Sequence, residues 1–212
     1  MSGETLIRLA VIGVALAAWF WTQHLLARRL VAPGIRDRVH EWTAPWHAWL
    51  FARPRATNAL LIATSAVIDL IGIYLLAMAI FGPTFRPFIA LLVLFALRQA
   101  CQVVCALPAP PGSIWRYPGF PALLVTYGTD NDYFFSGHTA IAVLGAIEIA
   151  HAGPPWLGAV MCLVAVLEAG TVLVLRAHYT MDVFAAALAA FFAYNLGSAT
   201  APAVDAWIRS LS

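Results

Sequence analysis

Ser136-Gly137-His138-Thr139, running into Ala140-Ile141-Ala142-Val143-Leu144-Gly145-Ala146, decides how this chain folds. Serine is a favoured N-cap, and the residues behind it form an unbroken apolar series. The tetrapeptide therefore marks the point where a polar loop enters a membrane helix. A second polar motif, His178-Tyr179-Thr180-Met181-Asp182, opens another apolar run forty residues later. Ionisable groups are costly in lipid, so two histidines and a carboxylate held at helix mouths call for a functional reading.

The rest of the chain fits that setting. Hydrophobic residues make up 62% of its 212 residues and charged residues 10%, too few to cover a soluble domain. Six apolar stretches approach the ~20 residues of a membrane span, near Thr5–Ala27, Asn58–Phe81, Pro83–Leu107, Phe135–Ala152, Pro155–Leu175 and Thr180–Leu196. The expected fold is an all-α integral membrane protein. It is a single domain over 1–212 with six transmembrane helices in a bundle, and its motif-bearing half covers about 98–195. Between the first two helices, Arg28 to Arg55 mixes six arginines with Trp42, Trp46 and Trp49. That mixture predicts a short interfacial segment. The proline-rich connection from Pro108 to Asp132 leads into the first histidine motif and reads as a functional loop. Ala185, Ala189 and Ala193 predict a small-residue packing stripe on the last helix.

All twelve basic residues are arginine. There is no basic face for nucleic acid. Cys101, Cys105 and Cys162 have no metal-binding spacing and read as buried small hydrophobes. No metal or cofactor is called for.

The spacing of the polar residues defines a chemistry. Asp182 follows His178 by four residues, one helical turn. A carboxylate there can hold the proton of one ring nitrogen and present the other as nucleophile or base. The same spacing also fits a structural pair that pins helices together. At the other motif, Ser136 and Gly137 begin a helix whose free N–H groups suit an anion, and His138 is placed to protonate a leaving group. Arg98, within the third apolar run, offers a planar fork to phosphate. Arg176 can do the same or snorkel to the interface. Asp69 and Glu168 read as structural acids, with a Glu168–Arg176 pair as one option.

Three motifs in this order look familiar. Asp130-Asn131-Asp132-Tyr133-Phe134-Phe135-Ser136-Gly137-His138-Thr139, then His178-Tyr179-Thr180-Met181-Asp182-Val183, preceded by the Arg98 to Leu107-Pro108-Ala109-Pro110 stretch, resemble the sphingomyelin synthase family. That family sits within the lipid phosphate phosphatase superfamily of six-helix membrane proteins. The resemblance implies a His138, His178 and Asp182 triad: His178 attacks phosphorus, and His138 protonates the group that leaves. The phosphatase branch carries an arginine where this chain has Val172, which favours a phosphodiester over a monoester. The synthases carry an acid where this chain has Ala177, which leaves transfer and hydrolysis both open.

The leading expectation is a membrane phosphotransferase or phospholipase-C-like hydrolase working on lipid phosphodiester head groups through a phosphohistidine. Its partners would be a phospholipid donor and a lipid alcohol or water as acceptor, and no oligomeric state follows. A lipid phosphate monoester phosphatase is the alternative. From another class comes a haem-binding electron carrier; His138 and His151 lie thirteen residues apart, toward opposite ends of one helix, so each would need a facing histidine on another helix, and only His178 is near one. The expected location is a bacterial inner membrane. The resemblance implies an exoplasmic site. The arginine count implies a cytoplasmic one: Arg28, Arg29, Arg36, Arg38, Arg53, Arg55, Arg98, Arg116 and Arg176 fall on the motif side, against Arg8, Arg86 and Arg209.

Overall fold

The structure is a computed structural model that describes residues 3–26, 35–127 and 133–211. Ala27, Arg28, Arg29 and the Asp130 to Asp132 start of the first motif lie outside the described residues. The described chain is helical, in the order α1 (Gly3–Leu26), α2 (Arg38–Trp42), α3 (Ala44–Phe51), α4 (Pro54–Phe81), α5 (Arg86–Val104), α6 (Gly137–Ala152), α7 (Pro155–Val174) and α8 (Thr180–Ser210).

Five of these, α1, α4, α5, α7 and α8, are long and apolar enough to cross a membrane. The expectation of six spans is corrected by α6. At 16 residues it rises roughly 24 Å, short of a ~30 Å hydrocarbon core. It packs instead against α4, α5, α7 and α8, and most of its residues are buried. Gly145 allows this closeness: a Cβ there would lie 2.3 Å from Ile71 Cγ2.

Local chemistry sets the ends of the helices. Pro54, Pro87 and Pro155 stand in the first turns of α4, α5 and α7, where a missing N–H costs nothing. Asp205 of α8 accepts from the Phe85 N–H at 2.8 Å and the Thr84 hydroxyl at 2.8 Å, closing the start of α5. Arg8 donates to the Ala79 and Gly82 carbonyls at 2.8 and 3.1 Å and pairs with Glu4, closing the end of α4.

The packed face of α8 runs through Ala186, Ala190, Ala193, Gly197 and Ala201. Of the predicted Ala185, Ala189 and Ala193 stripe, Ala193 lies on this face, and Ala185 and Ala189 pack beside it, partly buried. The core joins α4, α5, α6 and α8 through Ile68, Leu75, Leu94, Leu144 and Ala190. The segment expected at the interface forms two short helices, α2 and α3, with Trp42, Trp46 and Trp49 exposed along them.

Candidate active site

The chain crosses back and forth so that the α6 start, the α8 start, the α5 end and the α2–α3 segment share one end of the bundle. There, Arg98, Gly137, His138 and His178 line a common pocket together with Trp115 and Tyr133. Ser136, Asp182 and Arg176 do not line it.

Each side chain is held by its own element. Ser136 caps α6, its hydroxyl accepting from the Thr139 N–H at 3.3 Å and the Thr139 hydroxyl at 3.1 Å. Its oxygen is thus spent on the helix start rather than turned toward a substrate. The Ser136 N–H donates to the Asp182 carbonyl at 3.2 Å, which ties the two motifs together. Arg98 is buried in α5, donating from Nε to the Phe135 carbonyl at 2.8 Å and from Nη1 to Gln23 Oε1 at 3.1 Å. The indole of Trp115 meets the His138 ring edge-on at 4.9 Å.

His178 precedes the first turn of α8. Its Nδ1 lies 2.8 Å from the Tyr133 carbonyl and 3.8 Å from Asp182 Oδ2. A carbonyl only accepts, so Nδ1 carries the proton and Nε2 has the lone pair. The predicted one-turn pair is therefore modified. The carbonyl of Tyr133 fixes the tautomer, and Asp182 is a nearby negative charge beyond hydrogen-bond range. Oδ2 of Asp182 instead accepts from the Tyr179 N–H at 2.8 Å, capping α8.

Arg176 turns away from the pocket: its Nη1 donates to the Pro111 carbonyl at 2.7 Å, and its backbone sits at φ 52°. Glu168 accepts from Thr64, not from Arg176. Asp69 accepts from the N–H groups of Leu123 and Leu124 at 2.8 and 2.9 Å, anchoring the loop. His138 and His151 stand at opposite ends of α6, so one haem cannot take both.

Three residues missed in the sequence lie at the start of α2, on α2 and on α3. Asp37 accepts from the Thr180 N–H at 2.6 Å, the Thr180 hydroxyl at 2.8 Å and the Val39 N–H at 2.9 Å. One carboxylate thus caps the starts of both α2 and α8. Burial opposes its charge, but these bonds and nearby His40 outweigh that and hold its pKa below the ordinary value. His40 Nε2 donates to the His178 carbonyl at 3.0 Å, and His47 Nδ1 donates to the Val174 carbonyl at 2.9 Å. Burial, with Arg176 close by, lowers the pKa of His47 despite that bond. The signal for Asp37 was a lone aspartate within an arginine-rich stretch. Arg36, Arg38, Arg53 and Arg55 are exposed.

A family model, AtPDCT1/2, matches residues 37–199. The chain belongs to the AtPDCT1/2 family. These are phosphatidylcholine:diacylglycerol cholinephosphotransferases, which are enzymes. The match overturns the resemblance to the sphingomyelin synthases: the two families are related but not the same. Short histidine motifs did not separate them, whereas the AtPDCT1/2 match spans most of the chain. AtPDCT1/2 is a plant-type family, so the bacterial inner-membrane expectation loses its support. No curated protein and no solved structure matches the chain.

Proposed function

We propose that this protein transfers phosphocholine from phosphatidylcholine to diacylglycerol through a phosphohistidine at His178. The observation that carries the reading is the meeting of His138, His178 and Arg98 in one pocket, within a chain of the AtPDCT1/2 family. With Nδ1 protonated against Tyr133, the Nε2 lone pair of His178 attacks phosphorus. The bond from phosphorus to the diacylglycerol oxygen breaks, and His138 gives that oxygen its proton. A second diacylglycerol then loses its hydroxyl proton to His138 and attacks phosphorus, and the phosphorus–nitrogen bond breaks. Asp182, 3.8 Å away, stabilises the positive ring during both steps.

Among the described residues Arg98 is the only arginine lining the pocket. A single cation suits the single charge of a phosphodiester better than the fuller charge of a monoester. The test is a product assay in vesicles of phosphatidylcholine with isotopically distinct diacylglycerol, read by mass spectrometry. New phosphatidylcholine carrying the added diacylglycerol should appear with wild type and vanish with His178→Ala. Free phosphocholine without new phospholipid would instead make the protein a hydrolase.

A further inference from the structure

Helix α1 lies outside the matched residues 37–199, and no motif falls on it. Yet it supplies two walls of the site. Gln23 lines the histidine pocket, and Trp19 lines both that pocket and an apolar groove below it. Both residues are buried. Because an arginine can only donate, the contact from Arg98 fixes the Gln23 oxygen toward the guanidinium and turns its NH2 away. Among the described residues neither Gln23 Nε2 nor Trp19 Nε1 has a hydrogen-bond partner. Buried donors without partners are costly and point to an absent acceptor.

The groove continues the pocket along three helices in step. On α1 the order is Gln23, Trp19, then Leu16 and Ala15. On α5 it is Arg98, Phe95, then Leu92, Leu91 and Phe88. On α4 it is Ile68, Gly72, then Leu76. Each helix changes from the pocket to the groove within about one turn. The groove runs roughly 10 Å from Phe95 to Phe88, and its lining is wholly apolar. At the junction Trp19 stacks on Phe95 with ring centroids 4.2 Å apart. Leu124 reaches the same level over Gly72, where a Cβ would lie 2.0 Å from its Cδ1.

Polar at one end, with donors at the neck and apolar below, this space has the amphipathic order of one phospholipid. We propose that α1 completes a lipid slot. In this slot Gln23 donates to a phosphate oxygen, Trp19 donates to an ester carbonyl, and the α1–α4–α5 groove holds one acyl chain of the diacylglycerol body. The assignment rests on the proposed head-group transfer. Donor and acceptor share that body, so the same slot serves both in turn.

The test compares ester-linked with ether-linked phosphatidylcholine, which lacks the carbonyls. Wild type should show a KM roughly five-fold lower for the ester, the worth of one neutral hydrogen bond. Trp19→Phe keeps an aromatic ring against Phe95, removes the N–H donor and should lose that preference; the same ratio in both proteins would overturn the Trp19 assignment. A second readout does not need turnover. Phosphatidylcholine with a diazirine midway along one chain should label buried Leu91, and Leu92→Trp, which fills the groove, should cut that label several-fold. Label that avoids Leu91, or that ignores the substitution, would overturn the slot. Groove label without head-group transfer would sink the functional reading and leave the slot standing. Transfer without groove label would sink the slot alone.

Discussion

His178 is oriented by backbone. Tyr133 accepts from its Nδ1, and His40 donates to its carbonyl from the other side, so ring and main chain are each held by one contact. Asp182 adds charge without a direct bond to the ring. Replacing it by asparagine keeps an oxygen to cap Tyr179 and removes that charge, while an amide NH2 takes the place of the buried Oδ1. Asp182→Asn should therefore lower kcat per folded molecule roughly a hundred-fold, within the usual range for acid–base support, with a modest fall in melting temperature from the buried NH2. An unchanged kcat in the vesicle assay would reduce the carboxylate to a helix cap. His138, His178 and Arg98 were legible because their side chains stand out against apolar surroundings. The Tyr133 carbonyl was not, since every residue carries one and only the fold selects which faces the ring. The serine cap of α6 was legible as well, but not that the Ser136 N–H goes to the Asp182 carbonyl and the Arg176 guanidinium to the Pro111 carbonyl.

The α2–α3 segment also holds the chain around His178. Its exposed tryptophans and Arg53, stacked 4.6 Å over Trp49, suit an interface, while Asp37, His40 and His47 grip the chain on either side of His178. Asp37→Ala removes a cap from two helices and should cost about 1 kcal/mol per start. Faster hydrogen exchange should follow at α2 and around Thr180, together with a fall in kcat. Exchange changed at α2 alone would separate the segment from the site. The grip should also depend on pH. Asp37 and His47 both have lowered folded pKa values, so the folded state binds fewer protons than the unfolded one, and acid weakens it. The His47 contribution is complete above its ordinary value of 6.5 and is lost as pH falls through the lowered value. That of Asp37 is lost only below 3.8. His47→Gln should flatten the first part of this acid loss in exchange rates at α3; an unaltered profile would assign it elsewhere. Composition marked the segment by its exposed tryptophans and arginines, but such a pattern cannot reveal which lone polar residue turns inward.

Across the molecule the two ends of the bundle divide their tasks. The site occupies one end. The other is fastened by Arg8, by Asp205 and by the Arg86–Glu148 pair, whose two contacts measure 3.1 and 2.7 Å. Arg86→Met leaves buried Glu148 uncompensated and should cost about 3 kcal/mol. The melting temperature in detergent should drop while activity per folded molecule holds; lost activity without lost stability would show that the ends are coupled. Hydropathy located the long helices well because lipid imposes length and apolarity together. It misjudged α6, whose apolar residues meet other helices rather than lipid. It also left Trp19 and Gln23 as part of one apolar span, until the fold set Gln23 beside Arg98 and Trp19 beside Phe95. Covalent transfer through His178 is what joins these scales. It is tested most directly by incubating the protein with phosphatidylcholine without acceptor, quenching at alkaline pH and mapping peptides by mass. A phosphocholine adduct on His178, discharged when diacylglycerol is added, is the predicted result. Head-group transfer proceeding with no adduct, or with one on another residue, would contradict it.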